Sequence, residues 1–232
     1  MKTVGIIGGI GPESTIEYYR YLVAEYRSRA GSDHYPPILI NSIDLTRLVD
    51  LFGSGDHDAV ADYLTREIDR LARAGADFAV LSANTPHIVF DRVLAHSPIP
   101  MISIVEATCD GAHALGLKRV GLFGTRFTMQ GRFYPDVFSR RGIAVVAPEP
   151  GDQEYLHDKY MGELVNGVFL PGTRARLLAI AGRLHECHQV EAIVLGGTEL
   201  PLILREVADP VVPFLDTTMI HVRSIVTEML KP

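Results

Sequence analysis

Eight short, almost wholly apolar runs alternate with longer amphipathic stretches along the chain. The runs are Thr3–Gly8, Pro37–Ser42, Phe78–Ser82, Met101–Ile104, Val120–Gly124, Ala144–Ala147, Ala192–Gly196 and Val212–Leu215. Hydrophobicity this continuous suits strands buried on both faces, the condition of a parallel sheet covered by helices. Between the runs the spacing predicts helices over Glu13–Ser28, His57–Ala74, Thr85–Ala95, Val105–Leu115, Gln130–Arg141, Gln153–Asn166, Thr173–His188 and Thr217–Leu230. Pro12 in a first turn and Gly142 just after Arg141 are the start and stop signals that helices use.

The pattern also repeats. Lys2-Thr-Val-Gly-Ile-Ile-Gly8 recurs as Lys118-Arg-Val-Gly-Leu-Phe-Gly124, an offset of 116 that sets Tyr18 opposite Tyr134. Ala79-Val-Leu-Ser-Ala83 resembles Ile193-Val-Leu-Gly-Gly197 at an offset of 114, and Pro98-Ile-Pro-Met-Ile resembles the stretch from Pro210 to Leu215. Buried strands look alike, so one match says little; three in the same order imply a duplicated half. The expected fold is α/β, with two similar three-layer α/β/α halves whose parallel four-stranded sheets are related by a pseudo-twofold axis. The first half takes residues 1–100 and 210–232 and the second takes 101–209, with a cleft between them.

Charge and composition narrow the function. Lys and Arg number 22 against 28 Asp and Glu, a net charge of −6, and no basic stretch is longer than Arg140-Arg141. A phosphate-backbone binder needs a concentrated basic face, so nucleic acid is not expected as a partner. Runs such as Ala192–Leu195 fall far short of the roughly 20 apolar residues of a membrane span. The chain passes from Met1-Lys2-Thr3 straight into a strand-like run, without a signal-peptide n-region and cleavage site, so a cytoplasmic location is expected. Its two cysteines, Cys109 and Cys187, cannot make a disulfide scaffold or a multi-thiolate metal site. The His-x-x-His pair His185 and His188 reads as a solvated helix end, and no metal is expected.

Ligands of open α/β sheets bind beyond the carboxyl ends of the strands. Those ends are Gly8-Gly9-Ile10-Gly11, Ser82-Ala83-Asn84-Thr85, Gly124-Thr125-Arg126-Phe127-Thr128 and Gly196-Gly197-Thr198-Glu199, all small, polar or glycine-rich. The first does not fit a dinucleotide fingerprint: Pro12 intrudes, and Asn41 or Ser42 stands where an acidic residue is needed. The phosphate-loop pattern is absent. A strand-to-helix turn whose backbone amides face a carboxylate accounts for it better, with simple chain reversal as the alternative.

At full length the sequence resembles the aspartate/glutamate/hydantoin racemases. The resemblance is carried by Met1-Lys-Thr-Val-Gly-Ile-Ile-Gly-Gly9, Glu13-Ser-Thr-Ile-Glu-Tyr-Tyr-Arg20, Asn84-Thr85 with His87, Gly124-Thr-Arg-Phe-Thr-Met129, Gly196 with Thr198-Glu199, and Asp216-Thr-Thr with Ile220-His221. It implies cofactor-independent amino-acid racemisation, a small amino or carboxylic acid as ligand, and a homodimer. It also implies two catalytic cysteines, one per half, which move a proton on opposite faces of the α-carbon. Their positions are Ala83 and Gly197 here, and neither side chain can move a proton. Arg47 lies where the family reads a distal carboxylate, whereas Gly162-Glu-Leu-Val-Asn-Gly167 has no counterpart of its lysine.

The remaining titratable candidates are Glu199 and His87. Each has a structural alternative, a helix-start carboxylate for the first and a cap or packing ring for the second. Gly9, Ile10, Arg47, Ser82, Asn84, Thr85, Thr125, Thr128, Met129 and Thr198 are the expected ligand-binding residues. Three functions stay open: a racemase of altered mechanism, a cofactor-independent lyase or decarboxylase acting at the α-carbon, and a non-catalytic carboxylate-binding protein.

Overall fold

The computed structural model describes every residue except Ser32, Glu206, Ala208, Asp209 and Pro232. The chain forms two compact units, Met1–Ile104 with His221–Pro232, and Val105–Ile220.

In the first unit, β1 (Val4–Gly8) lies between β2 (Ile38–Ser42) and β3 (Phe78–Leu81), all parallel. Side chains of a strand alternate between faces. Val4 and Ile6, with Phe78 and Val80, pack against Tyr18, Leu22 and Tyr26 of α1 (Pro12–Ala30) and Val222, Ile225 and Met229 of the last helix. Val60, Leu64, Ile68 and Leu71 recur at helical spacing and form the buried stripe of α3 (His57–Arg73), which also packs on β1. An unanticipated helix, α2 (Leu45–Gly53), follows β2, its first turn capped by the Asp44 carboxylate on Thr46 N–H. After β3 come a 3₁₀ segment over Thr85–Val89 and α4 (Phe90–His96).

The fourth strand expected at Met101–Ile104 is reduced to one bridge, so this sheet has three strands rather than four. Ala79 donates to the Pro100 carbonyl and accepts from Ile102 N–H. Pro98 and Pro100 have no N–H to extend the ladder, and α5 (Ile104–Ala114) begins at once.

In the second unit, the order is β5 (Ala144–Val146), β4 (Arg119–Gly124), β6 (Ala192–Gly196) and β7 (Phe214–Asp216), again parallel. In both units the first strand lies inside, the second on one side of it and the third on the other, as a duplication requires. The helix expected over Gln130–Arg141 is the shorter α7 (Phe133–Ser139), and a separate unexpected helix, α6 (Arg126–Gln130), precedes it and ends at Gly131, whose backbone is extended. α8 (Pro150–Gly162), α9 (Pro171–His188) and the short α10 (Leu200–Leu204) cover one face. Leu156, Tyr160, Leu177, Ile180, Leu184 and Ile203 close there over Phe123, Ile193 and Leu195.

β7 pairs with β6, so the stretch after Pro210 completes the second sheet before α11 (Thr217–Met229) carries the chain back, from His221, into the first unit. Asp209, at the boundary expected from the sequence, lies outside the described residues. No described helix is long and apolar enough to cross a membrane.

Candidate functional site

The strand ends of the first unit are braced mainly by their own hydroxyls. Gly9 has φ of 77°, and a Cβ there would collide with the Ile43 carbonyl and the Ser42 hydroxyl, so only glycine makes this turn. Its N–H donates to Thr15 Oγ1 at 2.9 Å, which engages one of the amides expected to face an anion. Ser82 is fully buried; its hydroxyl donates to the Ile7 carbonyl, while Ser14 donates to the Ser82 carbonyl at 2.7 Å. Ile10, Ala83 and Asn84 are buried at the same sheet end and Thr85 is half-buried. Arg47 stands apart on the exposed side of α2, with its guanidinium 4.6 Å from the centre of the Tyr63 ring and no ion pair among the described residues.

His87 is buried and held at both nitrogens. The Ala83 carbonyl, 3.0 Å from Nδ1, needs a donor; Ile104 N–H donates to Nε2 at 3.3 Å. Those partners define the neutral tautomer with its proton on Nδ1. The ring stacks on Phe90, and burial pulls its pKa down to about 4 against the backbone hydrogen bonds of Ala83 and Asn84. His221 is its counterpart: Nδ1 accepts from the Tyr18 hydroxyl at 2.8 Å and Nε2 donates to the Ile102 carbonyl at 3.1 Å. Burial and the neighbouring His87 lower its pKa to about 3. The two rings thus tie the loop after β3 and the start of α5 to α1 and α11, and both stay neutral.

At the end of β4, Thr125 is the N-cap of α6, its hydroxyl accepting from Thr128 N–H and lying 3.2 Å from Thr128 Oγ1. The Thr128 side chain rests on Gly124 and Gly196, where added Cβ atoms would meet it at 2.9 and 3.1 Å. Met129 is buried in the core beside them.

The end of β6 carries the most chemistry. Glu199 is 1% exposed, and its Oε2 accepts hydrogen bonds from the hydroxyls of Tyr160 and Thr198. A Cβ on Gly197 would stand 2.9 Å from Tyr160 Cζ and 3.0 Å from its Oη, so the phenol fills the space of the missing side chain. Burial, followed by the Glu199 charge, raises the Tyr160 pKa well above its ordinary value. Tyr160 was not among the residues expected from the sequence. The available signal was indirect, a glycine at a strand end, which often marks close approach by another group.

The cysteines lie elsewhere. Cys109 is buried on α5 with Sγ 3.8 Å from the Val137 carbonyl, and burial raises its pKa; Cys187 is exposed on α9. His185 Nδ1 lies 2.9 Å from the Val190 carbonyl just past the end of α9. Among the described residues no group of three His, Cys, Asp or Glu could hold a metal ion.

Each of the two α/β units has a parallel sheet with its first strand inside, and each ends its central strands in buried hydroxyls and glycines. The profile of the Asp/Glu/hydantoin racemase family matches residues 7–225, and the chain belongs to that family. It is 24% identical, over 98% of both chains, to the broad specificity amino-acid racemase RacX of Bacillus subtilis. It superposes on a crystal structure from Yersinia pestis assigned to the Asp/Glu racemases, with a TM-score of 0.89, 32% identity and full coverage of both chains. An aspartate racemase homologue from Pyrococcus horikoshii follows at 0.85 and 31%, again over the whole of both chains.

Proposed function

We propose that the protein binds a small amino or carboxylic acid at its strand-end loops and acts on the α-carbon without a cofactor, but not by two-thiol racemisation. The observation that carries this reading is an unequal retention. The side chains of Ala83 and Gly197, where the family resemblance places the thiols, have no proton to transfer, while Asn84, Thr85, Thr125, Thr128, Thr198 and Glu199 keep polar side chains at the strand ends. Several hydroxyls and amides can hold a carboxylate by charge-assisted hydrogen bonds. The family likeness further supports a homodimer working in the cytoplasm.

The test pairs thermal unfolding with NMR in D2O across the proteinogenic amino acids, both enantiomers, and small hydroxy, keto and malonate-type acids. Bound acid raises the melting temperature by mass action, and loss of an α-proton signal reports chemistry. An acid that does both supports the proposal; a panel that does neither overturns it. A second reading, a carboxylate-binding protein without turnover, is favoured by His87, whose nitrogens are both spent on backbone. It predicts stabilisation without exchange.

A further inference from the structure

We propose that Tyr160 and Glu199 form a proton relay that serves one face of the bound acid's α-carbon, with Tyr160 Oη as the atom that meets the substrate. This rests on the reading above and deepens it. Three observations place the pair. The phenol occupies the position into which a side chain of residue 197 would project, at the carboxyl end of β6. Its hydroxyl donates to Glu199 Oε2, a carboxylate oxygen withdrawn from solvent and also held by Thr198. Asp152 bonds Arg176 and Arg183 of α9, and Glu163, itself held by Lys159 of α8, accepts from Thr173 of α9, which fastens both ends of α8 to α9 and so fixes Tyr160.

A phenol this reluctant to ionise does not work as a free phenolate. It works as a carrier. As the α C–H bond breaks, its proton passes to Tyr160 Oη while the phenol's own proton passes to Glu199 Oε2. The electron pair stays on the substrate as an enolate, and Glu199 becomes a neutral acid. The reverse transfer rebuilds the C–H bond on the same face. In D2O the phenol O–H, which now carries the substrate's proton, exchanges with solvent while the enolate persists, so the atom returned from Tyr160 Oη is deuterium. His87 offers no matching group in the first unit, because both its nitrogens are committed. The outcome is exchange with retention of configuration rather than racemisation.

The experiment follows α-proton loss and enantiomeric composition by NMR, with the amino-acid panel in D2O, for wild type, Tyr160→Phe and Glu199→Gln. Circular dichroism checks that each variant is folded, and a thermal shift with the same amino acids checks binding. The expected result is exchange with retention in wild type. Both variants should lose it by about 100-fold or more, the usual contribution of a positioned acid or base, while the ligand-induced thermal shift persists. Glu199→Gln keeps an acceptor for the phenol and so remains decisive if Tyr160→Phe fails to fold. Binding without exchange, exchange with inversion, or wild-type exchange in both folded variants overturns the relay and leaves the binding reading intact. No thermal shift and no exchange with any acid overturns both.

Discussion

Gly197 and Tyr160 constrain one another at the level of single atoms, and this has a consequence for stability apart from any chemistry. A methyl group at position 197 must displace a ring that is 7% exposed and part of the second unit's core. Overpacking of this kind costs about 1–3 kcal/mol, so Gly197→Ala should lower the denaturant midpoint accordingly. Tyr160→Ala alone leaves a cavity, at about 3–5 kcal/mol by analogy with other buried aromatics. In the double variant the new methyl meets no ring, and the two losses should fall short of additivity by about 1 kcal/mol or more. Urea titration of the four proteins measures the coupling, and strict additivity would remove the packing argument. The strand-end placement of Glu199, Thr198 and Thr125 was legible because polar groups at strand ends stand out in the sequence. Tyr160 was not, because its place depends on a glycine far along the chain and on a helix that reads as ordinary core.

At the scale of elements, ionic ties hold α8 in register on α9. Glu163 has its pKa lowered chiefly by the Lys159 hydrogen bond and then by that of Thr173, while Lys159 is correspondingly raised. A carboxyl group with a lowered folded pKa contributes stability that is present above its ordinary value, 4.5, and is lost as pH falls through the lower folded value. Acidification below that point should loosen the end of α8 and the 3₁₀ turn over Leu164–Asn166. Glu163→Gln should be loosened already at neutral pH and respond little to acid. With no tryptophan and 9 tyrosines in the chain, near-ultraviolet circular dichroism of the tyrosines, Tyr155 and Tyr160 on α8 among them, is a usable readout. Equal acid responses in wild type and variant would assign the loosening to other groups. Elements with proline starts, such as α1 and α9, were legible within two residues at either end. α2 went unread although Leu45, Leu48, Val49 and Phe52 have helical spacing, because nine residues after a strand read as loop. Met101–Ile104 read as a strand by hydrophobicity alone, a measure that does not register the missing donors of the two prolines.

For the whole molecule, the sequence repeat proved to be a repeat of strand order, since matches at nearly one offset map β1 to β4 and β3 to β6. The two units are nonetheless chemically unequal. The first holds His87 and His221, neutral and buried, with folded pKa values of about 4 and about 3 against an ordinary 6.5. The groups facing them are Ala83 O, the Asn84 backbone, Ile104 N–H, Phe90, the Tyr18 hydroxyl, Ile102 O and each other, none of these being a carboxylate that could stabilise a charged ring. Unfolding lets both take up protons, so stability falls as pH drops below 6.5 and levels off only below the folded values. Two such groups give a slope approaching about 2.7 kcal/mol per pH unit within that window. The second unit has His157, lowered by partial burial and by Arg126, but that ring is half-exposed and its effect smaller. Between pH 6.5 and 4.5, above the range where Glu163 yields, acid should weaken the first unit before the second. Hydrogen-exchange mass spectrometry, corrected for intrinsic rates, should show protection lost from β1, β3 and α1 while β4, β6 and α9 keep theirs. His87→Gln, which keeps hydrogen-bonding capacity without titrating, should flatten part of that dependence. Parallel loss of protection in both units would mean that the buried histidines do not set the acid limit of the fold.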